Sequence, residues 1–338
     1  MIQGHKSYIS TRLSILADRL IGPGNYAAIV EEDLDTLINR VTGGTTADDF
    51  DPGLLQSNLI SQALRDFNML FRPFNGNEKA FLNFAVHWYE LSNLKALIRG
   101  KFTGSSDADI KKELIDLERF NQLPLDTLLE ADDPNEMMRL LEQTPYSSIV
   151  RQAREIYHAE GQNLFALDAT IDREFFTGLS QRVRFLDNED RQQLGALFGT
   201  LMDRLNILWL IRYRFSYGLS PAKSFFLLST TGRKLHTGNL MRLAKLESID
   251  DLINQLPSPL DELLANQQSL IQIENIMEHY VIESASNALK YSPSVITRLF
   301  AYILLRESEV QLLHAAIKGK SLNFDEQLIL EATGGNVH

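Results

Sequence analysis

Apolar positions recur every three or four residues along nearly the whole chain. Between Phe81 and Lys101 the series Phe81, Phe84, Trp88, Leu91, Leu94 and Ile98 lays a single stripe along one helix face. Gly100 stands where a glycine just past the helix end is expected, and Arg99 and Lys101 lie at the negative end of the helix dipole. Strand-like alternation bounded by hairpin turns is scarce. The pattern predicts an all-α chain.

The same helix carries a phrase that returns twice. Glu90-Leu-Ser-Asn93-Leu-Lys-Ala-Leu-Ile-Arg99-Gly-Lys101 is followed by Asp203-Arg-Leu-Asn206-Ile-Leu-Trp-Leu-Ile-Arg212-Tyr-Arg214, then by Glu309-Val-Gln-Leu312-Leu-His-Ala-Ala-Ile-Lys318-Gly-Lys320. Each copy opens on an acid, runs through aliphatic residues and closes on isoleucine, a base, a spacer and a second base. The closing bases are 113 residues apart (101 to 214) and then 106 (214 to 320). A period of this kind marks tandem copies of one supersecondary unit, an architecture that more often holds partners than carries chemistry.

A second phrase keeps the same period. Leu125-Asp-Thr-Leu128 precedes Met137-Met138 and Thr144-Pro145-Tyr146, and Leu240-Met-Arg-Leu243 precedes Ser248-Ile-Asp250-Asp251 and Pro257. Both predict a short helix, a capped turn and a second short helix stopped by proline. The turn-rich stretch from Thr42 to Gly53 does not align with either. Loop signals at Thr103–Asp107 and Tyr217–Pro221 place the boundaries of three packed lobes at 1–106, 107–219 and 220–338, with a frayed tail from Ala332.

Composition narrows the classes. Of 338 residues, 44% are apolar and 23% charged, which is a globular chain and not a disordered one. The formal net charge of −11 argues against nucleic acid, which needs a basic footprint. It leaves plain solubility or a surface suited to basic partners. No cysteine is present, so disulfides, thiolate metal sites and a cysteine nucleophile are excluded. The first twenty residues have no apolar core of a signal peptide. No run of about 18 uncharged apolar residues occurs, so no direct bilayer insertion is expected.

Candidate chemistry is thin. The aspartate runs Asp48-Asp49-Phe-Asp51 and Asp132-Asp133-Pro-Asn-Glu136 suggest magnesium-dependent all-α enzymes, but both sit beside proline and read as turns and helix caps. Glu155-Ile-Tyr-His158 is half of a di-iron motif with no second half. Thr230-Thr-Gly-Arg233-Lys234 lacks P-loop spacing and reads as a connecting loop, although it could meet a phosphate or an acidic partner. No catalytic residue, metal or cofactor is therefore expected.

The recurring polar residues remain. In each copy the acid is nine residues before the first base, about 13 Å along a helix and too far for an ion pair. Asn93 and Asn206 are poor helix formers in mid-helix, which suggests hydrogen bonds between packed helices. Leu312 breaks the pattern in the third copy. Glu90, Asn93, Arg99, Asp203, Asn206, Arg212, Glu309 and Lys318 are the candidate packing or partner-contact residues, and the three acids could instead ring a central cavity.

Together with Pro145-Tyr146 and Arg306-Glu-Ser-Glu309, these phrases resemble the vacuolar/archaeal-type (V/A-type) ATPase C-subunit family, known in eukaryotes as the d subunit. The likeness covers essentially the whole chain. It is carried by Tyr89 to Lys101, by Asp203-Arg-Leu-Asn206-Ile and by Tyr302-Ile-Leu-Leu-Arg-Glu307-Ser-Glu309, none of which is catalytic. Leu312 departs from the asparagine usual there. The resemblance implies a three-lobed all-helical funnel with approximate threefold symmetry and no ATPase activity of its own. It implies a cytoplasmic rotor part, peripheral to the membrane, that takes the central stalk subunits D and F on one side. The other side would sit on the membrane proteolipid ring, so that torque passes between them for ion transport. A generic helical scaffold for another protein, or a magnesium enzyme, are the alternatives.

Overall fold

The computed structural model describes residues 2–43, 55–131, 134–159, 164–267 and 269–334. Among these there are helices and connecting segments but no strand. The all-α expectation therefore holds. The chain falls into two compact units by internal contacts, one formed by Met1–Phe74 with Phe185–His338 and the other by Asn75–Arg184.

In the first unit, the N-terminal portion holds α1 (Ile2–Ala17), α2 (Tyr26–Glu31), α3 (Leu34–Thr42) and α4 (Leu55–Phe71). The second unit runs through α5 (Gly76–Thr103), α6 (Asp107–Glu113), α7 (Leu125–Leu129), α8 (Pro134–Leu141), α9 (Ser147–Ala159) and α10 (Leu164–Arg184). The chain then re-enters the first unit as α11 (Asn188–Ile211), which ends in a single π turn over Arg212–Ser216. Four short helices come next: α12 (Pro221–Phe226), α13 (Thr237–Leu243), α14 (Ile249–Asn254) and α15 (Leu260–Leu263). The last three are α16 (Leu270–Tyr291), α17 (Val295–Ser321) and α18 (Glu326–Thr333).

Starts and stops obey local chemistry. Asp33, Asp187, Ser220, Ser248 and Ser294 each accept a hydrogen bond from a backbone N–H in the first turn of the helix they precede. Pro221 occupies the first turn of α12, where its missing N–H costs nothing. As the second repeated phrase predicts, α7 and α8 stop before Pro145, and α13 and α14 before Pro257.

In the second unit α5 packs on α10, and α9 lies along α10. Phe84 stacks on Phe175 with ring centres 5.0 Å apart, and Trp88 packs on Phe175 and Phe176. The Arg182 guanidinium lies over the Phe84 ring at 3.6 Å. In the first unit α11 packs on α16, α16 on α17, and α17 on α4. Phe67, Phe71 and Tyr302 form one aromatic cluster there, and Phe198 and Phe300 a second pair.

The stripe expected on α5 is broader than one face. Leu82, Ala85, Val86, Tyr89 and Leu97 are buried as well, because α6, α8 and α10 cover the helix from several sides. The α11 stretch Asn188–Ser216 is long and apolar enough to cross a membrane by length and composition, yet it is mostly buried inside the protein. It is a core helix whose apolar residues face neighbouring helices.

Gly100 is not the residue past the helix end. It lies inside α5, buried, and the left-handed cap is Gly104 (φ 71°). Gly319 is likewise inside α17. Their role is close approach. A Cβ on Gly319 would fall 2.6 Å from Ile329 Cγ1, and one on Gly100 would fall 2.7 Å from Ile110 Cδ1 and closer still to the Cγ1. In both copies an isoleucine ten residues on, in the next short helix, packs on the bare backbone. Ser105 N–H also bonds the Gly100 carbonyl and Phe324 N–H the Gly319 carbonyl, both at 2.9 Å. Gly100→Ala should therefore destabilise by roughly 1–2 kcal/mol through overpacking. In an Ile110→Ala background the same change should stabilise by about 0.5–1 kcal/mol, since only helix propensity remains. Urea melts of the four chains check this; a stabilising Gly100→Ala in the parent would show that the approach is not tight.

Candidate functional site

The candidate acids are clamps for connecting segments. Glu90 on α5 is fully buried. Its Oε1 accepts from the backbone N–H of Leu123 at 2.7 Å and from that of Gln122, and its Oε2 accepts from the Tyr146 hydroxyl. One turn on, Asn93 pairs with the backbone of Ile115. Its Nδ2 donates to the Ile115 carbonyl at 2.7 Å and its Oδ1 accepts from the Ile115 N–H at 2.8 Å. Together they pin the connecting stretch between α6 and α7, which holds a single 3-10 turn at Glu118–Phe120.

Asp203 and Asn206 on α11 repeat the arrangement in the first unit. Asp203 accepts from Lys234 N–H at 2.8 Å and Leu235 N–H at 2.9 Å. Asn206 donates to the Ser229 carbonyl at 2.7 Å and accepts from its N–H at 3.0 Å. The segment pinned here joins α12 to α13. Asn93 and Asn206 thus bond connecting backbone, not a second helix as their mid-helix position suggested. A loop needs its donors and acceptors satisfied, whereas the backbone groups of a packed helix are already paired. The Thr230–Lys234 loop turns the Lys234 N–H to Asp203 and does not form a cradle for a phosphate.

Glu309 on α17 closes the series differently. Its Oε1 accepts from the Ile21 N–H at 3.1 Å, 288 residues away, and its Oε2 pairs with Arg306 one turn back. Leu312, in the place of the asparagine, is buried. The chain leading to Ile21 is the end of α1, whose carbonyls at Ser14, Leu16 and Ala17 are taken by Asp18, Arg19 and Leu20 N–H.

The bases behave as two sets. The second base of each phrase caps or tethers the next stretch of chain. Lys101 is 3.0 Å from Asp107 and donates to the Leu129 carbonyl at the end of α7, and Lys320 is 3.3 Å from Glu326. Arg214 donates to the carbonyls of Ala244 (2.7 Å), Leu219 (2.6 Å) and Leu246 (3.1 Å), the first and last of them just past α13. The first base stays nearer the surface. Arg99 is 3.5 Å from Asp168 on α10, Arg212 is 3.1 Å from Glu274 on α16, and Lys318 is exposed. The residues the sequence did not single out are the loop partners; Tyr146 and Arg306 stood in the phrases that carry the resemblance but without a bonding role. Tyr146 was visible in the Thr-Pro-Tyr stretch; the loop amides follow Glu90 and Asp203 by 31–33 residues but carry no side-chain signal of their own.

Burial raises the carboxyls of Glu90 and Asp203 above their ordinary values, outweighing the hydrogen bonds that favour the anion. Burial also drives the Tyr146 hydroxyl up, helped by the Glu90 charge beside it. His87, buried in the same unit, is pushed down to about 4 by burial and by Arg182. It is neutral at physiological pH.

Asp48, Asp49 and Asp51, Asp132 and Asp133, and the side chain of His158 lie outside the described residues. Among the described residues no three His, Asp or Glu side chains are grouped to hold a metal.

The model of the family described as the ATP synthase (C/AC39) subunit matches residues 9–332. The chain belongs to this family. It is 27% identical to the A-type ATP synthase C subunit of Halorubrum lacusprofundi over 90% of this chain and 88% of that one. The protein of the same name from Methanococcoides burtonii is 21% identical over 96% and 92%, and that from Haloferax volcanii 24% over 91% and 88%. The C/AC39 match spans all three clamps, so the acids and their loops sit within the shared region.

Asp203→Ala leaves the buried Leu235 N–H and the part-buried Lys234 N–H without an acceptor and should cost about 2–3 kcal/mol in denaturant unfolding. Asp203→Asn should cost less. Its penalty should also depend on pH with a definite sign. Because the folded carboxyl titrates above its ordinary 3.8, its contribution is full below that value and is lost as pH rises through the folded pKa. The Asp203→Asn penalty should thus be smaller at about pH 8 than near pH 4. A penalty that grows with pH would mean that the loop amides favour the anion more than burial opposes it.

Proposed function

We propose that this chain is a non-catalytic rotor subunit that couples the central stalk of an A/V-type ATPase to its membrane proteolipid ring. The lobes form a funnel with approximate threefold symmetry. Its interior takes the tip of the stalk, built of subunits D and F, and its opposite rim sits on the cytoplasmic loops of the ring. The chain lies at the cytoplasmic face, peripheral to the membrane through the membrane sector. Torque passing through it serves ion transport and ATP synthesis. Arg99, Arg212 and Lys318, near the surface at the ends of the three phrases, are the candidates for partner contact. Glu90, Asn93, Asp203, Asn206 and Glu309 serve by holding the body rigid.

The observation that carries this reading is the recurrence of the clamp. Three times, an acid inside a long helix fastens that helix to a connecting segment. The acid-bearing helix also packs each time on another long helix: α5 on α10, α11 on α16, and α17 on α4. Transmission of torque asks for connections that do not yield, and loops held by buried side chains meet that need. The recurring carboxylates are engaged by backbone amides, Tyr146 or Arg306, and so are poorly placed to act as general bases.

The direct test is reconstitution. The purified chain should form a stoichiometric complex with a D–F heterodimer, and should sediment with membranes only when these contain the proteolipid ring. Indifference to both would overturn the reading. Replacing Asp132 and Asp133 by alanine should leave both interactions unchanged, whereas a magnesium enzyme would lose its activity.

A further inference from the structure

A cavity of about 430 Å³ opens beside Glu309 in the first unit. Four guanidinium groups line it, each from a different element: Arg19 just past α1, Arg40 on α3, Arg65 on α4 and Arg306 on α17. In a chain of net charge −11 this is a local inversion of sign. The two carboxylates in the wall are already engaged. Asp66 accepts from the Tyr302 hydroxyl at 2.9 Å, and Glu309 is held by Ile21 and Arg306. Outside the wall, Glu32 pairs with Arg40. Four guanidiniums thus face three carboxylates, and Arg19 and Arg65 are exposed at the mouth. Deeper in, the Nε of Arg306 is buried with no hydrogen-bond partner among the described residues.

From this cavity we infer a binding site for a small phosphate-bearing anion of the pyrophosphate or nucleotide-phosphate class. Guanidinium forks match phosphate oxygens bidentately and keep their charge at every physiological pH. Donors that approach from four elements suit a tetrahedral group, which offers oxygens in several directions, better than a planar carboxylate. The volume is in the range of small-ligand sites and exceeds what a lone orthophosphate would fill. Arg306 links the site to the clamp, since the same side chain holds Glu309 and, through it, the Ile21 segment. An anion bound there draws on the guanidinium that now faces Glu309 and stiffens the junction of α17 with the N-terminal segment. The site stands independently of the rotary function.

Isothermal titration of the full chain with inorganic pyrophosphate, at about 0.15 M salt to screen loose surface binding, tests this. One saturable site is expected, with succinate binding far more weakly. The double variant Arg19→Gln, Arg65→Gln changes only exposed side chains and should keep its circular dichroism and melting temperature while binding about tenfold or more weakly. Absence of a saturable site, equal binding of succinate, or undiminished binding by the folded double variant would each overturn the proposal. Arg306→Gln is the second variant. If it melts like the parent it should bind less tightly; if it melts lower, added pyrophosphate should raise the parent's melting temperature and leave that of the variant unmoved.

Discussion

A carboxylate removed from water and returned only a few hydrogen-bond donors, most of them backbone N–H groups, is the interaction on which the rest of this structure leans. Leaving such a group unsatisfied would cost several kcal/mol. The acid therefore tolerates few arrangements of the segment that meets it. Segments 114–124 and 227–236 have little regular structure to order them. They are ordered because Glu90 and Asp203 need their amides, and because Asn93 and Asn206 fix them a second time a few residues earlier. The short helices beyond them inherit their direction from these points. Lys101 and Arg214 then fasten the far ends of those helices by taking carbonyls at or just past their last turns.

Much of this was legible in the sequence, and the part that was not has a physical reason. Helices are written in side-chain periodicity, so the all-α class and the long helices could be read directly. The recurring acid and asparagine were visible because they are side chains. Their partners were not, because the partner in nearly every case is a peptide group. Gln122, Leu123, Lys234, Leu235 and Ile21 share no common chemistry, and a backbone amide leaves no mark on the residue that carries it. Asparagine in mid-helix pointed correctly to a hydrogen bond but wrongly to another helix. Gly100 was misread for a related reason. A glycine near a helix end serves equally to turn the chain or to admit a neighbour, and only the position of Ile110 distinguishes them.

Helix α11 shows what hydropathy leaves out. By composition it qualifies for a membrane, yet it carries Asp203 and Asn206 on its buried surface. In lipid these would have no loop to bond. In the folded chain they hold the Ser229–Leu235 loop against the helix, while α16 and α17 cover its apolar residues. Averaged apolarity reports that a segment avoids water, and the polar residues set within it report which environment it has taken instead.

The Glu309–Ile21 bond bears on biogenesis. The clamps of Glu90 and Asp203 join residues about thirty apart, whereas this one joins residues 288 apart. A chain leaving the ribosome at about 5–20 residues per second exposes Ile21 many seconds before Glu309 exists. Throughout that interval the N-terminal helices have no α17 to rest on, and the faces of α1 and α4 that pack on it stay open. The first two fastenings can be made soon after their acids are synthesised, but the last must await the 288 residues that separate Ile21 from Glu309. The segment around Ile21 thus leaves the ribosome long before the side chain that holds it, and settles only after that side chain has followed.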